Sequence, residues 1–100
     1  MIYVAHPYNN NPENKKRVEH LIIKLQAKYP TMTFISPINT FGFLYDILSY
    51  EQGMDKCLTL LRACDTIILA EAWEYSVGCG MEHAHARMYG KMITYEREWI

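Results

Sequence analysis

Cysteine is scarce. The chain has three, Cys57, Cys64 and Cys79, among 100 residues. An odd number with no paired zinc spacing excludes a disulfide framework and a zinc ribbon. It suits a reducing compartment, with the thiols expected in the core. Four prolines and five glycines are too few for a collagen-like or low-complexity chain. Neither sign of charge is in excess: ten basic and eleven acidic residues leave a net charge of -1. That excludes a broad basic field for duplex nucleic acid. The single basic run, Lys15-Lys16-Arg17, splays around a helix and reads as a solvated face. No apolar stretch approaches the roughly 20 residues that cross a bilayer. The opening MIYVA has no basic segment followed by a long apolar one, so it reads as a strand rather than a signal peptide. The expectation is a cytoplasmic protein with no membrane and no duplex nucleic acid among its partners.

The chain does have alternation. IYVA (2–5), TFISP (33–37), TIILA (66–70) and KMITY (91–95) are short runs of strand formers. Between them lie helical patterns. Asn11 before Pro12 is a strong N-terminal signal, and Val18, Leu21, Ile22, Leu25 and Tyr29 follow at steps of three and four. Pro30 is expected to end that helix. Ser49-Tyr-Glu-Gln52 fits a capping box, followed by a stripe of Tyr50, Met54, Cys57, Leu58 and Leu61. INTFGFLYDIL (38–48) reads as a loop with one or two helical turns. A third helix is expected from about residue 80 to Tyr89, with Met81, Ala84 and Met88 facing inward and Gly90 as its stop.

The order β-α-β-α-β-α-β in 100 residues predicts one domain over 1–100. Its fold class is α/β: a flavodoxin-like or Rossmann-like, three-layer, doubly wound parallel sheet of four strands. Right-handed crossovers give the order 2-1-3-4. Ligands in such sheets bind past the carboxyl ends of the strands, where the winding reverses. Here that point lies between the first and third strands. HPYNNN (6–11) meets EAWEYSVGCG (71–80) there.

The second of these loops runs into SVGCGMEHAHA (76–86), which sets Glu82 behind Gly78 and Gly80. A first-turn carboxylate complements the helix dipole and needs no other task. The same dipole would keep a nucleophilic carboxylate ionised, and the glycines let a ligand approach the backbone. His83 and His85 flank Glu82, but residues i and i+2 on a helix face apart, so no metal site is expected.

SVGCGMEHAHA, with IYVAHPY before it and CDTIILA between, resembles the nucleoside 2-deoxyribosyltransferase superfamily. That group includes the related nucleoside 5'-monophosphate N-glycosidases, and the likeness is greatest to a branch of short bacterial and phage-encoded proteins. The resemblance implies that Glu82 attacks C1' of the sugar and that Tyr3 orients it. It aligns Ser76 with a position where the transferases carry an aspartate and the monophosphate glycosidases a phosphate-contacting serine, which leans towards a nucleotide. Gly78 and Gly80 match glycines of the same loop. Cys57 stands where the family has a second acidic residue, and Asp55, two helical positions away, is turned by about 200°.

The chemistry so implied is N-glycosidic bond cleavage or base exchange on a nucleoside or nucleoside 5'-monophosphate through a glutamate nucleophile. No cofactor or metal is implied. His6, Asp55 and Glu74 are the candidates to protonate the leaving base. Pro7 shares the first loop with His6, and Tyr8, Phe41 and Trp73 could wall the base by stacking. Phosphate could rest at the helix start after Asn11 or near Ser76. The alternative is a nucleotide-binding module of the same fold without chemistry, and a third reading is a structural subunit whose glutamate only caps a helix. Thirteen aromatic residues, eight of them tyrosine, suggest a homo-oligomer, a dimer or higher.

Overall fold

A computed structural model describes residues 1–100. Four strands, β1 (Ile2–Ala5), β2 (Phe34–Ile35), β3 (Thr66–Leu69) and β4 (Met92–Tyr95), form one sheet in the order β2-β1-β3-β4. Every pairing is parallel. Four α-helices connect and cover it: α1 (Pro12–Lys28), α2 (Pro37–Phe41), α3 (Tyr50–Arg62) and α4 (Val77–Met88). Three single 3-10 turns lie at Gly42–Leu44, Trp73–Tyr75 and Glu96–Glu98. The expected α/β class and strand order are both present.

The two-residue alternation of β1 divides the core. Ile2 and Val4 face α1, where Val18, Leu21 and Leu25 pack with Phe34, Ile38 and Ile68. Tyr3 and Ala5 face the other layer, with Leu61 of α3 and Cys79 and Ala86 of α4. The tail closes the first layer: Trp99 stacks edge-on against Tyr29 and Phe34. The alternation thus aims Tyr3, an aromatic residue with a polar end, at α3 and α4.

Local signals set the helix starts. The Asn11 side chain accepts from the Glu13 N–H, with Pro12 in the first turn. Ser49 and Gln52 form the expected capping box, with Oγ accepting from the Gln52 N–H at 3.1 Å and Gln52 Oε1 accepting from the Ser49 N–H at 2.9 Å. Ser49→Ala is expected to cost about 1 kcal/mol, read as a lower denaturant midpoint with an unchanged slope.

Three expectations need correction. The second strand is not 33–37 but only Phe34–Ile35, because Ser36 caps α2 and Pro37 opens it. Proline at that place starts a helix as well as ending a strand. Helix α4 begins at Val77 rather than near residue 80, because Ser76 Oγ accepts from the Cys79 N–H at 3.2 Å. Its inner face is consequently Cys79, Glu82 and Ala86, while Met81, Ala84 and Met88 are exposed. Gly90, at φ +67°, terminates it as expected.

Candidate active site

β1 and β3 run side by side until the Ala70 N–H bonds to the Ala5 carbonyl at 2.9 Å. Beyond that point the two loops part, and a cavity of about 510 Å³ opens between them. The first loop is set by Asn9 and Asn10, both at positive φ, a conformation asparagine tolerates better than most residues. Asn14 and the Asn11 N–H both donate to the Tyr8 carbonyl. His6, Pro7 and Tyr8 then face the cavity.

The second loop leaves β3 through Ala72, which is left-handed at φ +68°. It makes the 3-10 turn and enters α4 at Ser76. Ser76, Gly78, Cys79 and Glu82 reach the cavity from this side.

Three of the expected site residues do not line the cavity: Gly80, Trp73 and the fully buried Tyr3, which reaches it only through Glu82. Gly80 is two helical positions from Glu82, about 200° around the helix, and a Cβ there would meet nothing within 4 Å. Trp73 is turned back by the 3-10 turn towards β4, where its ring packs on His83 at 4.7 Å and Tyr95 at 6.3 Å. Glu74 is exposed and off the cavity. Asp55 opens onto a separate shallow hollow with Glu51, Gln52 and Lys56.

The opposite wall comes from a stretch the sequence left ambiguous. Phe41, Tyr45 and Leu48 line it, with Tyr50, Met54 and Cys57 from α3. Tyr8 and Tyr45 meet edge to face at 5.4 Å, and Asn10 donates to Asp46 at 3.3 Å. A Cβ at Gly42 would lie 3.3 Å from the Tyr8 hydroxyl, so glycine there lets Tyr8 seat against the wall. The density of aromatic residues in 41–50 was the available sequence signal.

Glu82 lies at the base of the cavity, only 5% exposed. The Tyr3 hydroxyl, itself fully buried, donates to Glu82 Oε2. Because α4 starts at Ser76, Glu82 stands in its second turn, about 9 Å along the axis, beyond the first turn where the dipole acts. The expectation that the dipole keeps it ionised is therefore corrected. Burial pushes its pKa up to about 7, with the Tyr3 hydrogen bond pulling the other way.

Burial, then the Glu82 charge, pushes both Cys57 and Cys79 up to about 12. The same two causes hold Tyr3 well above, and Tyr50 above, the ordinary tyrosine value. Burial lowers His6, against the opposing effect of its Nδ1 contact with the Pro7 carbonyl at 2.7 Å. A carbonyl only accepts, so Nδ1 carries the proton and the imidazole is neutral near pH 7.

A family model described as "Domain of unknown function (DUF4406)" matches residues 1–95. The chain belongs to this DUF4406 family. No curated protein matches its sequence. Among solved structures, the 2-desoxiribosyltransferase from Leishmania mexicana is similar, with a TM-score of 0.68 and 22% identity. The likeness covers 94% of this DUF4406 chain and 61% of that one. At that identity it is a likeness of fold: the DUF4406 chain has a nucleoside 2-deoxyribosyltransferase-like architecture and spans about three-fifths of the other's length.

The tyrosine can be tested directly. In Tyr3→Phe, Glu82 loses a charge-assisted hydrogen bond worth about 1.5–3 kcal/mol. Any Glu82-dependent rate is expected to fall roughly ten- to a hundredfold at neutral pH. Since that bond lowers the Glu82 pKa, its removal moves the acid limb of the pH profile upward. An unmoved limb would show that Tyr3 only fills space.

Proposed function

We propose that this chain cleaves or exchanges the N-glycosidic bond of a nucleoside or nucleoside 5'-monophosphate, with Glu82 as nucleophile. One observation carries the reading: a buried carboxylate, held by a buried tyrosine, at the base of a cavity at the strand-order switch point. The fold shared with a 2-desoxiribosyltransferase supports it.

A glycosidic bond breaks through a state with positive charge on C1' and the ring oxygen. A carboxylate with no cation beside it is complementary to that charge. One Glu82 oxygen forms the bond to C1' as the C1'–N bond breaks, and the bonding pair leaves with the base. Tyr3 keeps Oε2 engaged and so fixes the carboxylate plane. Water then releases the sugar, or a second base takes it. The scheme needs no cofactor.

Protonation of the departing base is the open place in this scheme. Glu82 is the only carboxylate on the cavity wall. Cys57 remains a neutral thiol at physiological pH, a weak donor. Neutral His6 offers Nε2 as an acceptor. This favours, as a second reading, a module that binds the ligand and performs no chemistry. Self-association also belongs to the proposal, supported by the exposure of Phe43, Ile47, Val77 and Met88.

The test is base release from a panel of nucleosides and 5'-monophosphates, with wild type beside Glu82→Ala. Release that disappears in the variant supports the enzyme. Thermal stabilisation by the same compounds without release supports the binding module. Neither response would end both readings.

A further inference from the structure

We propose that the cavity selects an uncharged nucleoside over the corresponding 5'-monophosphate, because Glu82 supplies the only charged group on its walls and no cation faces it. This rests on reading the cavity as a nucleoside site. No lysine or arginine lines it.

The basic residues nearest in sequence are engaged or directed elsewhere. Lys15 pairs with Glu19 at 3.7 Å and Lys16 with Glu13 at 3.9 Å, both on the exposed side of α1. Arg17 is close enough to His6 to disfavour its protonation, but is not among the lining residues. The groups around Glu82 are Tyr3 from β1, Tyr50 and Cys57 from α3, and Cys79 from α4 itself. None of these can become cationic.

Two features could still attract a phosphate, and both are weak here. The start of α1 already holds an acid, since Glu13 stands in its first turn and its N–H is taken by Asn11. Pro12 has no N–H to offer. The start of α4 offers free N–H groups at Val77 and Gly78 and the Ser76 hydroxyl, whose oxygen accepts from the Cys79 N–H while its O–H can still donate, but none of these donors carries a full charge.

A helix N-terminus is worth about half a positive charge. An ionised Glu82 about 9 Å along the same helix carries a whole negative one, and a monophosphate brings about 1.5 to 2 more. At an effective dielectric of about 20, the repulsion at that distance amounts to about twentyfold in affinity for each unit of phosphate charge. The half charge of the helix does not offset it. The far wall, with Ile38, Phe41, Leu48 and Met54, is apolar and suits the base.

The test is calorimetric titration at pH 8 with 2'-deoxyadenosine and its 5'-monophosphate, then with the 2'-deoxycytidine pair, on wild type and Glu82→Gln. Binding needs no turnover. The nucleoside is expected to bind wild type at least tenfold more tightly than its monophosphate, with the gap shrinking severalfold in Glu82→Gln. Tyr75→Lys adds a cation at a fully exposed position on the mouth. It is expected to narrow the gap as well, and stands in should the glutamine variant misfold.

A monophosphate bound as tightly as its nucleoside would overturn the selectivity. So would a gap that neither variant changes. Base release is measured in parallel. Equal or better kcat/KM on the monophosphate sinks the selectivity and upholds the cavity reading, whereas no binding of either compound sinks the cavity reading and the selectivity with it.

Discussion

In Glu82→Gln, base release from the best substrate is expected to fall at least about a thousandfold in kcat, the scale on which loss of a covalent nucleophile shows. Affinity is expected to change far less. Glutamine matches the shape of glutamate and still offers Tyr3 an acceptor, so the cavity should persist. What is lost is the charge that, on the proposed mechanism, meets the cation at C1'. A variant that keeps a tenth or more of the wild-type rate would remove Glu82 from the chemistry. Stopped-flow or discontinuous base-release assays, with ligand affinity measured separately, divide the effect between kcat and binding.

The second large effect concerns pH, because the same carboxylate links activity to stability in opposite senses. Its pKa stands at about 7 in the folded chain against an ordinary 4.5, raised by burial. The folded state therefore holds a proton that the unfolded state has released between those values. Below about pH 4.5 both states are protonated and the contribution is complete. It fades as pH rises and is gone above about 7. The difference corresponds to about 3 kcal/mol. Wild type measured against Glu82→Gln by denaturant unfolding should lose about that much between pH 4.5 and 8, and parallel curves for the two proteins would refute it. On the proposed mechanism activity runs the other way, since only the carboxylate would attack. kcat/KM should climb tenfold per pH unit up to about 7 and then level.

The fold was legible wherever a local signal stood alone. Asn11-Pro12 and the Ser49–Gln52 box marked their helices because nothing near them competed. Ser36-Pro37 is the same kind of signal as Asn11-Pro12, but it follows a run of strand formers, and there the proline read as a terminator. The Ser76 cap was hidden by two glycines in the first turn, which argue against a helix on propensity alone. The inner face of α4 was hidden for a related reason. Periodicity assumes that polar residues face out, and here the glutamate faces in while two methionines face water. Glu82, Tyr3 and Ser76 were found through their resemblance to a family motif. Of the far wall from Phe41 to Leu48 only Phe41 was named, since the meeting of the rest with Tyr8 joins segments over thirty residues apart and no periodicity reports such a contact.

The central strand has a consequence for synthesis. β1 precedes the other strands, yet its full-length partner is β3 at residues 66–69. Until then only the two residues of β2 can pair with it. Tyr3 waits longer still, because Glu82 follows sixteen residues after the start of β3. A nascent chain that has reached only residue 65 has helices but almost no sheet, and parallel pairing across such separations is slow. The sheet and the carboxylate cavity are thus completed together, late. A chain stopped before α4 would lack both the helix that covers Tyr3 and the carboxylate that accepts from its hydroxyl.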